Sequence, residues 1–443
     1  MLKSNQKVKY LILGLVLISL SYGIVYGLSY LRIATSYAAK ITCSCHFISG
    51  RNVKDIVDHD LYAVDMVQVE VDEVSKLVTS SFFGLAKKVA FYREGIGCTL
   101  LNDVSANELS LQPSPKIKVI DTISLLVRNL PLEVDSLELM QVIDEAFTEV
   151  DISKPMKNTR AIVILHDGKV VVERYANGYH KEMPLLGWSM TKSVTNAMLG
   201  ILVKQKSIDI YQPTGIKEWQ TDDRKKITLN DLLQMQSGLD FEERYDKVSD
   251  ATKMLFNSKS SASVALKSTL IKAPGSFWSY SSGTTNILQE YIRRSFGSDS
   301  EYIDMPYNAL FIPLGMASAV MERDPSGTYI GSSFMYATAR DWAKFGQLYL
   351  QDGVWNGVRI LPEGWVKYSS TANAYSDGEY GAQFWMNRKD KSYLQDAYCA
   401  DGFEGQNVNI IPSKKLVIVR MGLSRNSSFN NEVFVKKVVG VGW

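Results

Sequence analysis

In the stretch GWSMTKS, Ser189 and Lys192 lie three residues apart at the expected start of a helix, where positions i and i+3 share a face. An amine so placed reaches the hydroxyl and, once its surroundings lower its pKa, accepts the hydroxyl proton to give a nucleophile. Amides at the helix N-terminus then favour a developing oxyanion. The spacing alone is weak, since Ser4 and Lys7 share it in the basic N-terminal stretch. Two further segments could complete the chemistry. Tyr280 and Ser282 follow a Pro-Gly turn in APGSFWSYSSGTTNIL and fit a loop facing a cleft. A phenol beside a cation can serve as general acid or base there, although the same residues also fit an aromatic loop packed on helices. In YCADGFEGQ, Gly402 and Gly405 allow close backbone approach, so an edge strand could offer an amide to a carbonyl, or the glycines could simply turn the chain.

These residues need a frame. Asp135 and Ser136 are plausible caps for a helix whose apolar positions Leu139, Met140, Val142, Ile143, Ala146 and Phe147 recur at helical spacing. AIVILHDGKVVVERY then reads as two strands joined at Asp167-Gly168. A long helix is expected from Ser189, and residues 190 to 350 read as mostly helical, with TLNDLLQM and TARDWAKFGQLYL as examples. Near the end, VNIIPSKKLVIVRMG gives two strands around a Pro-Ser-Lys-Lys turn and NNEVFVKKVVG a closing helix. Hairpins at both ends with helices between them predict an α+β fold, an antiparallel sheet flanked by helices with a helical subdomain.

Residues 1–33 have a different character. Tyr10 to Leu31 carry no charge and follow Lys3, Lys7 and Lys9, the pattern of a transmembrane helix with its lysines on the cytoplasmic side. The expected protein is single-pass, with everything beyond the anchor on the periplasmic or extracellular side. An alternative is cleavage near Ala34 to Ala39. Residues 34–134 read as a decorating region with no catalytic spacing, and 135–443 as the main domain. All four cysteines, Cys43, Cys45, Cys98 and Cys399, fall beyond the anchor, where disulfides persist. A bridge from Cys43 or Cys45 to Cys98 is preferred, with buried free thiols as the alternative.

The balance of 49 Lys and Arg against 47 Asp and Glu offers no basic surface for nucleic acid. The four histidines, His46, His59, His166 and His180, include no H-E-x-x-H, so no metal is expected. Gly187-Trp188-Ser189-Met190-Thr191 lacks the second glycine of a G-x-S-x-G elbow. Trp188, Phe277, Trp278, Tyr380 and Trp385 are candidates to line an apolar pocket.

The order Ser-x-x-Lys, Tyr-x-Ser about 90 residues on, and a glycine strand about 120 beyond resembles the serine β-lactamase-like superfamily. Within it the chain is similar to class C β-lactamase-related hydrolases of the 6-aminohexanoate-dimer hydrolase and esterase type. LLQMQSGL, PGSFWSYSS, IPLGM, ATARDWAKFGQLYLQDG and GFEGQ add to the likeness, which covers roughly 135–443. The resemblance implies that Ser189 is acylated, Lys192 takes its proton, and Tyr280 passes it to the leaving group. Backbone amides of Ser189 and Phe403 would form the oxyanion hole, with Ser282, Asp401, Gly402 and Trp188 at the substrate and no cofactor. Ser282 stands where penicillin-recognising relatives commonly have Asn. Ala400-Asp401-Gly402 stands where they carry Lys or His, then Thr or Ser, then Gly. A carboxylate there should repel the carboxylate of a β-lactam or a D-alanine terminus. The expected substrate is therefore a small ester or amide. The alternatives are a non-catalytic module that binds or senses cell-wall fragments, and a β-lactamase or D,D-peptidase.

Overall fold

The computed structural model describes residues 2–116, 124–151, 156–386 and 394–443, excepting the side chains at 2–9, 11, 16, 18–20, 22 and 24. Its architecture is α+β, and its frame is a six-stranded antiparallel sheet. The strand order is Trp385–Met386, Tyr398–Gly402, Gln406–Ile411, Leu416–Gly422, Thr159–His166, Lys169–Tyr175. The expected hairpins are both present. Asp167 and Gly168 take φ of 51° and 74°, the left-handed pair that a tight two-residue turn requires. Leu416–Gly422 lies beside Thr159–His166, with Ile162 opposite Arg420, so the sheet joins distant parts of the chain.

Alternation along these strands builds two cores. Ala161, Val163 and Leu165, with Val417, Val419 and Met421, face the larger core, whereas Ile162, Ile164, Leu416 and Ile418 face the smaller one. The smaller core is closed by helices Ser136–Phe147, capped by Asp135 as its sequence predicts, and Asn431–Gly440. Helix Ala339–Leu350 packs on the opposite face, and helix Met190–Lys206 runs beside it against helix Ser282–Arg294.

The N-terminal part departs most from the sequence reading. Among the described residues no helix is long and apolar enough to cross a membrane, and some side chains of the expected Tyr10–Leu31 span lie outside the described residues. The segment is helical, but the helix does not stop near residue 33. It runs from Leu2 to Phe47, because nothing between Leu31 and Phe47 breaks it and no Gly or Pro occurs there. Tyr10, Leu15 and Val25 are exposed, whereas Ala38, Ala39 and Cys43 are fully buried. The buried part packs on a four-stranded sheet, Gln68–Asp72, Leu77–Phe82, Leu85–Arg93 and Gly97–Leu100, that the sequence reading left as short mixed segments.

This region shares the larger core with the rest of the chain. Cys43 and Cys98 form a disulfide, one of the two preferred pairings, and Cys45 is a buried thiol. Glu322 accepts hydrogen bonds from Ser44 Oγ at 2.8 Å and Cys98 N at 2.6 Å, and pairs with the buried Lys40. On the other flank Asp60 accepts from Arg51 at 2.6 Å and from Arg160 of the large sheet at 2.9 Å.

Candidate functional site

Ser189 is the residue from which helix Met190–Lys206 starts, and its hydroxyl makes no capping bond to that helix. The entry is constrained. Gly187 must be glycine, since a Cβ would lie 2.3 Å from the Trp342 ring. Trp188 takes a left-handed φ of 46°, an unfavourable conformation for a bulky residue that buried surroundings must hold. The amides of Met190 and Thr191 bond back to Gly187 O and Trp188 O, locking the first turn.

Lys192, one turn on, is buried and gives its amine three partners: Ser189 Oγ at 3.0 Å, Ser282 Oγ at 2.9 Å and the Ser332 carbonyl at 3.0 Å. Burial lowers its pKa to about 8, against the raising effect of the Glu243 and Asp401 carboxylates. The proton arrangement follows from the neighbours. Ser282 Oγ donates to Glu243 Oε1 at 2.5 Å, so towards Lys192 it is an acceptor. A neutral amine has two hydrogens, which Ser282 Oγ and Ser332 O take, and its lone pair then faces the Ser189 hydroxyl. That is the arrangement a general base needs.

Tyr280 stands over the same amine, with Lys192 Nζ 4.8 Å from its ring centroid. Burial and the Glu243 charge push its phenol well up, opposed by hydrogen bonding with the Ser189 side chain. The phenol thus remains protonated at neutral pH and is suited to donate. An aromatic box fixes the ring: Trp385 at 5.2 Å and Tyr380 at 5.8 Å, with Trp278 packed on both. Of the predicted pocket aromatics these three support Tyr280, Trp188 lines a cavity at Ser189, and Phe277 is exposed.

The glycine strand closes the site. A Cβ on Gly402 would lie 2.2 Å from the Gly187 carbonyl, so only glycine lets strand Tyr398–Gly402 come this close to the turn carrying Ser189. Phe403 follows, its ring 5.8 Å from that of Trp188. Burial raises the Asp401 carboxyl to about 6, against a hydrogen bond from Asn407 and the charge of Lys192. All eight predicted site residues therefore surround one point. Glu243, in FEERYD, was not found from the sequence, because no spacing ties it to Ser282. It also accepts from Ser282 N at 2.8 Å and Tyr245 OH at 2.7 Å.

A sequence profile of the beta-lactamase family matches residues 152–430, more than half of the chain. The chain belongs to the beta-lactamase family. It is similar to the 6-aminohexanoate-dimer hydrolase of Paenarthrobacter ureafaciens, 23% identical over 290 residues that cover 59% of this chain and 72% of that one. Among solved structures it resembles a Bacillus anthracis protein provisionally assigned as a 6-aminohexanoate-dimer hydrolase, with a TM-score of 0.59 and 24% identity over 73% of this chain and 88% of that chain. A family VIII carboxylesterase gives 0.54 and 13% over 72% and 98%. These structural likenesses establish the fold. The family is one of serine hydrolases, and the order of the Ser-x-x-Lys, Tyr-x-Ser and glycine-strand motifs is the signal that led to it.

Proposed function

We propose that this beta-lactamase-family protein hydrolyses an ester or amide through an acyl-enzyme on Ser189. The observation that carries the reading is the buried Lys192 amine 3.0 Å from Ser189 Oγ with its other neighbours already paired. In the reaction Lys192 takes the Ser189 proton as Oγ bonds to the carbonyl carbon. Tyr280 gives a proton to the departing alcohol or amine and is reprotonated through Lys192. Water then attacks the acyl group, Ser189 regains its proton, and a carboxylic acid leaves. Backbone amides of Ser189 and Phe403 hold the oxyanion, and Ser282, Asp401, Gly402 and Trp188 bound the substrate. Asp401, near Lys192, disfavours a substrate carboxylate at that place, which argues for uncharged esters and amides over β-lactams.

We also propose that the exposed apolar length of helix Leu2–Phe47 anchors the protein in a membrane, with the catalytic body outside the cytoplasm. Tyr10, Leu15 and Val25 present apolar surface to solvent, and the Cys43–Cys98 disulfide suits an oxidising compartment. The test of the chemistry is labelling of the full-length protein by a fluorophosphonate, read by intact mass. One adduct is expected on the parent and none on Ser189→Ala. An unlabelled, folded parent would overturn the reading.

A further inference from the structure

Beside Ser189 lies a cavity of about 170 Å³, more than ten times what one water needs. Much of its wall comes from parts of the chain remote from the catalytic motifs. The N-terminal helix supplies Tyr30, Ile33 and Tyr37, the turn after it Ala63 and Val64, and helix Asp250–Phe256 supplies Leu255 and Phe256. Trp188, Ser189 and Phe403 line it as well. The aromatic wall is continuous: Tyr37 stacks on Trp188 at 6.5 Å and meets Phe256 edge-on at 5.6 Å. The charged groups on the wall are Lys247, which pairs with Glu242, and Glu404, which accepts from Tyr62 OH at 3.3 Å and which burial raises to about 7.

We infer that this cavity is the acyl subsite and that it takes the linear hydrocarbon chain of a medium- or long-chain acyl ester. The inference rests on the proposed acyl-enzyme and names its substrate class. A short polar acyl group would leave this apolar space unfilled, whereas an alkyl chain attached to a carbonyl at Ser189 fills it and leaves water. The approach to it is also apolar. Val25, Tyr26, Leu28 and Tyr30 are exposed on the helix that provides Tyr30 and Ile33 to the wall, so apolar surface leads directly to the cavity. This arrangement suits an acyl chain drawn from a lipid layer, and a dissolved acyl ester has the same chemistry at Ser189.

The experiment uses full-length protein in detergent micelles with p-nitrophenyl acetate, butyrate, octanoate and decanoate. Each added CH₂ is expected to raise kcat/KM about fourfold until the cavity is full. Ala63→Trp at the rim and Leu255→Trp inside should lower the decanoate-to-acetate ratio at least tenfold. Ala63 is exposed, so its variant should fold even where the deeper one fails. Fluorophosphonate labelling of Ser189 with a flat chain-length profile, or an unchanged ratio in Ala63→Trp, would overturn the acyl subsite alone. Absence of labelling would overturn it together with the hydrolase reading. Dioctanoylglycerol in phosphatidylcholine vesicles, compared with dissolved octanoate ester, separates the two sources. Faster turnover in vesicles assigns a membrane lipid, and faster turnover in solution a soluble ester.

Discussion

Ser189 stands between two walls of different origin. On one side Tyr280 is wedged among Trp278, Tyr380 and Trp385, all of them inside the region that the family profile covers. On the other side the cavity is walled partly by Tyr37, Val64 and the N-terminal helix, all outside it, and partly by Tyr245, Leu255 and Phe256, inside it. The first wall fixes rings and protons around Lys192. The second supplies volume and apolar surface, and Tyr245 on the cavity wall ties it to Ser282 and Glu243. The contrast teaches that chemistry and selection are separable here. In the function proposed above, the family fold carries the reaction and the N-terminal region helps to shape what reaches it.

Four variants can break or sharpen that separation. Lys192→Met should reduce kcat about 10³-fold or more while thermal unfolding stays cooperative, because the serine loses its proton acceptor. Steady-state hydrolysis and a melting curve together check it; near-normal turnover would remove Lys192 from the first wall. Asp60→Asn should cost about 3–5 kcal/mol of stability, since it leaves Arg160 buried without its counter-ion and Arg51 with Asp55 alone. Urea unfolding measures this, and an unchanged midpoint would mean that the N-terminal region is not held through that pair.

Tyr280→Phe should lower kcat about 10²-fold with KM little changed, as expected for a group acting on the leaving atom. An effect confined to KM would instead make the aromatic box a binding surface. The smallest change is in pH dependence. Burial lowers Lys192 to about 8 and Glu243 raises it, so Glu243→Gln removes a raising influence and the pKa falls. Activity that needs the neutral amine increases as pH rises through about 8, and the variant should move that acid limb to lower pH. A limb displaced upward, or not displaced, would show that another group governs it.

Legibility in the sequence followed the same division. β-Branched apolar runs on either side of Asp167-Gly168 and of the Pro-Ser-Lys-Lys turn disclosed both hairpins, and Asp135 with the helical spacing after it disclosed helix Ser136–Phe147, because these signals are local. The residues proposed to be catalytic were readable as candidates because Ser189 and Lys192 share a helix turn and the remaining motifs kept their order. Glu243 and the cavity wall were not readable. Glu243 meets Ser282 only through folding, 39 positions away, and a wall built from Tyr37, Val64 and Leu255 has no period or spacing. The four-stranded sheet was missed for a related reason. Strand Gln68–Asp72 has no buried residue to anchor an apolar alternation, and Leu85–Arg93 carries Lys87 and Lys88 at its start.

The pairing of Leu416–Gly422 with Thr159–His166 also bears on when this molecule becomes active. A chain emerging from the ribosome has Ser189 and Lys192 in hand long before it has Phe403 or the strands that complete the sheet. Contacts of such high sequence separation form slowly, because loop-closure entropy must be lost before they return any stability. Ser189 therefore spends synthesis without strand Tyr398–Gly402 or its finished frame. Lateness of assembly would keep the serine inert until the whole chain has been made.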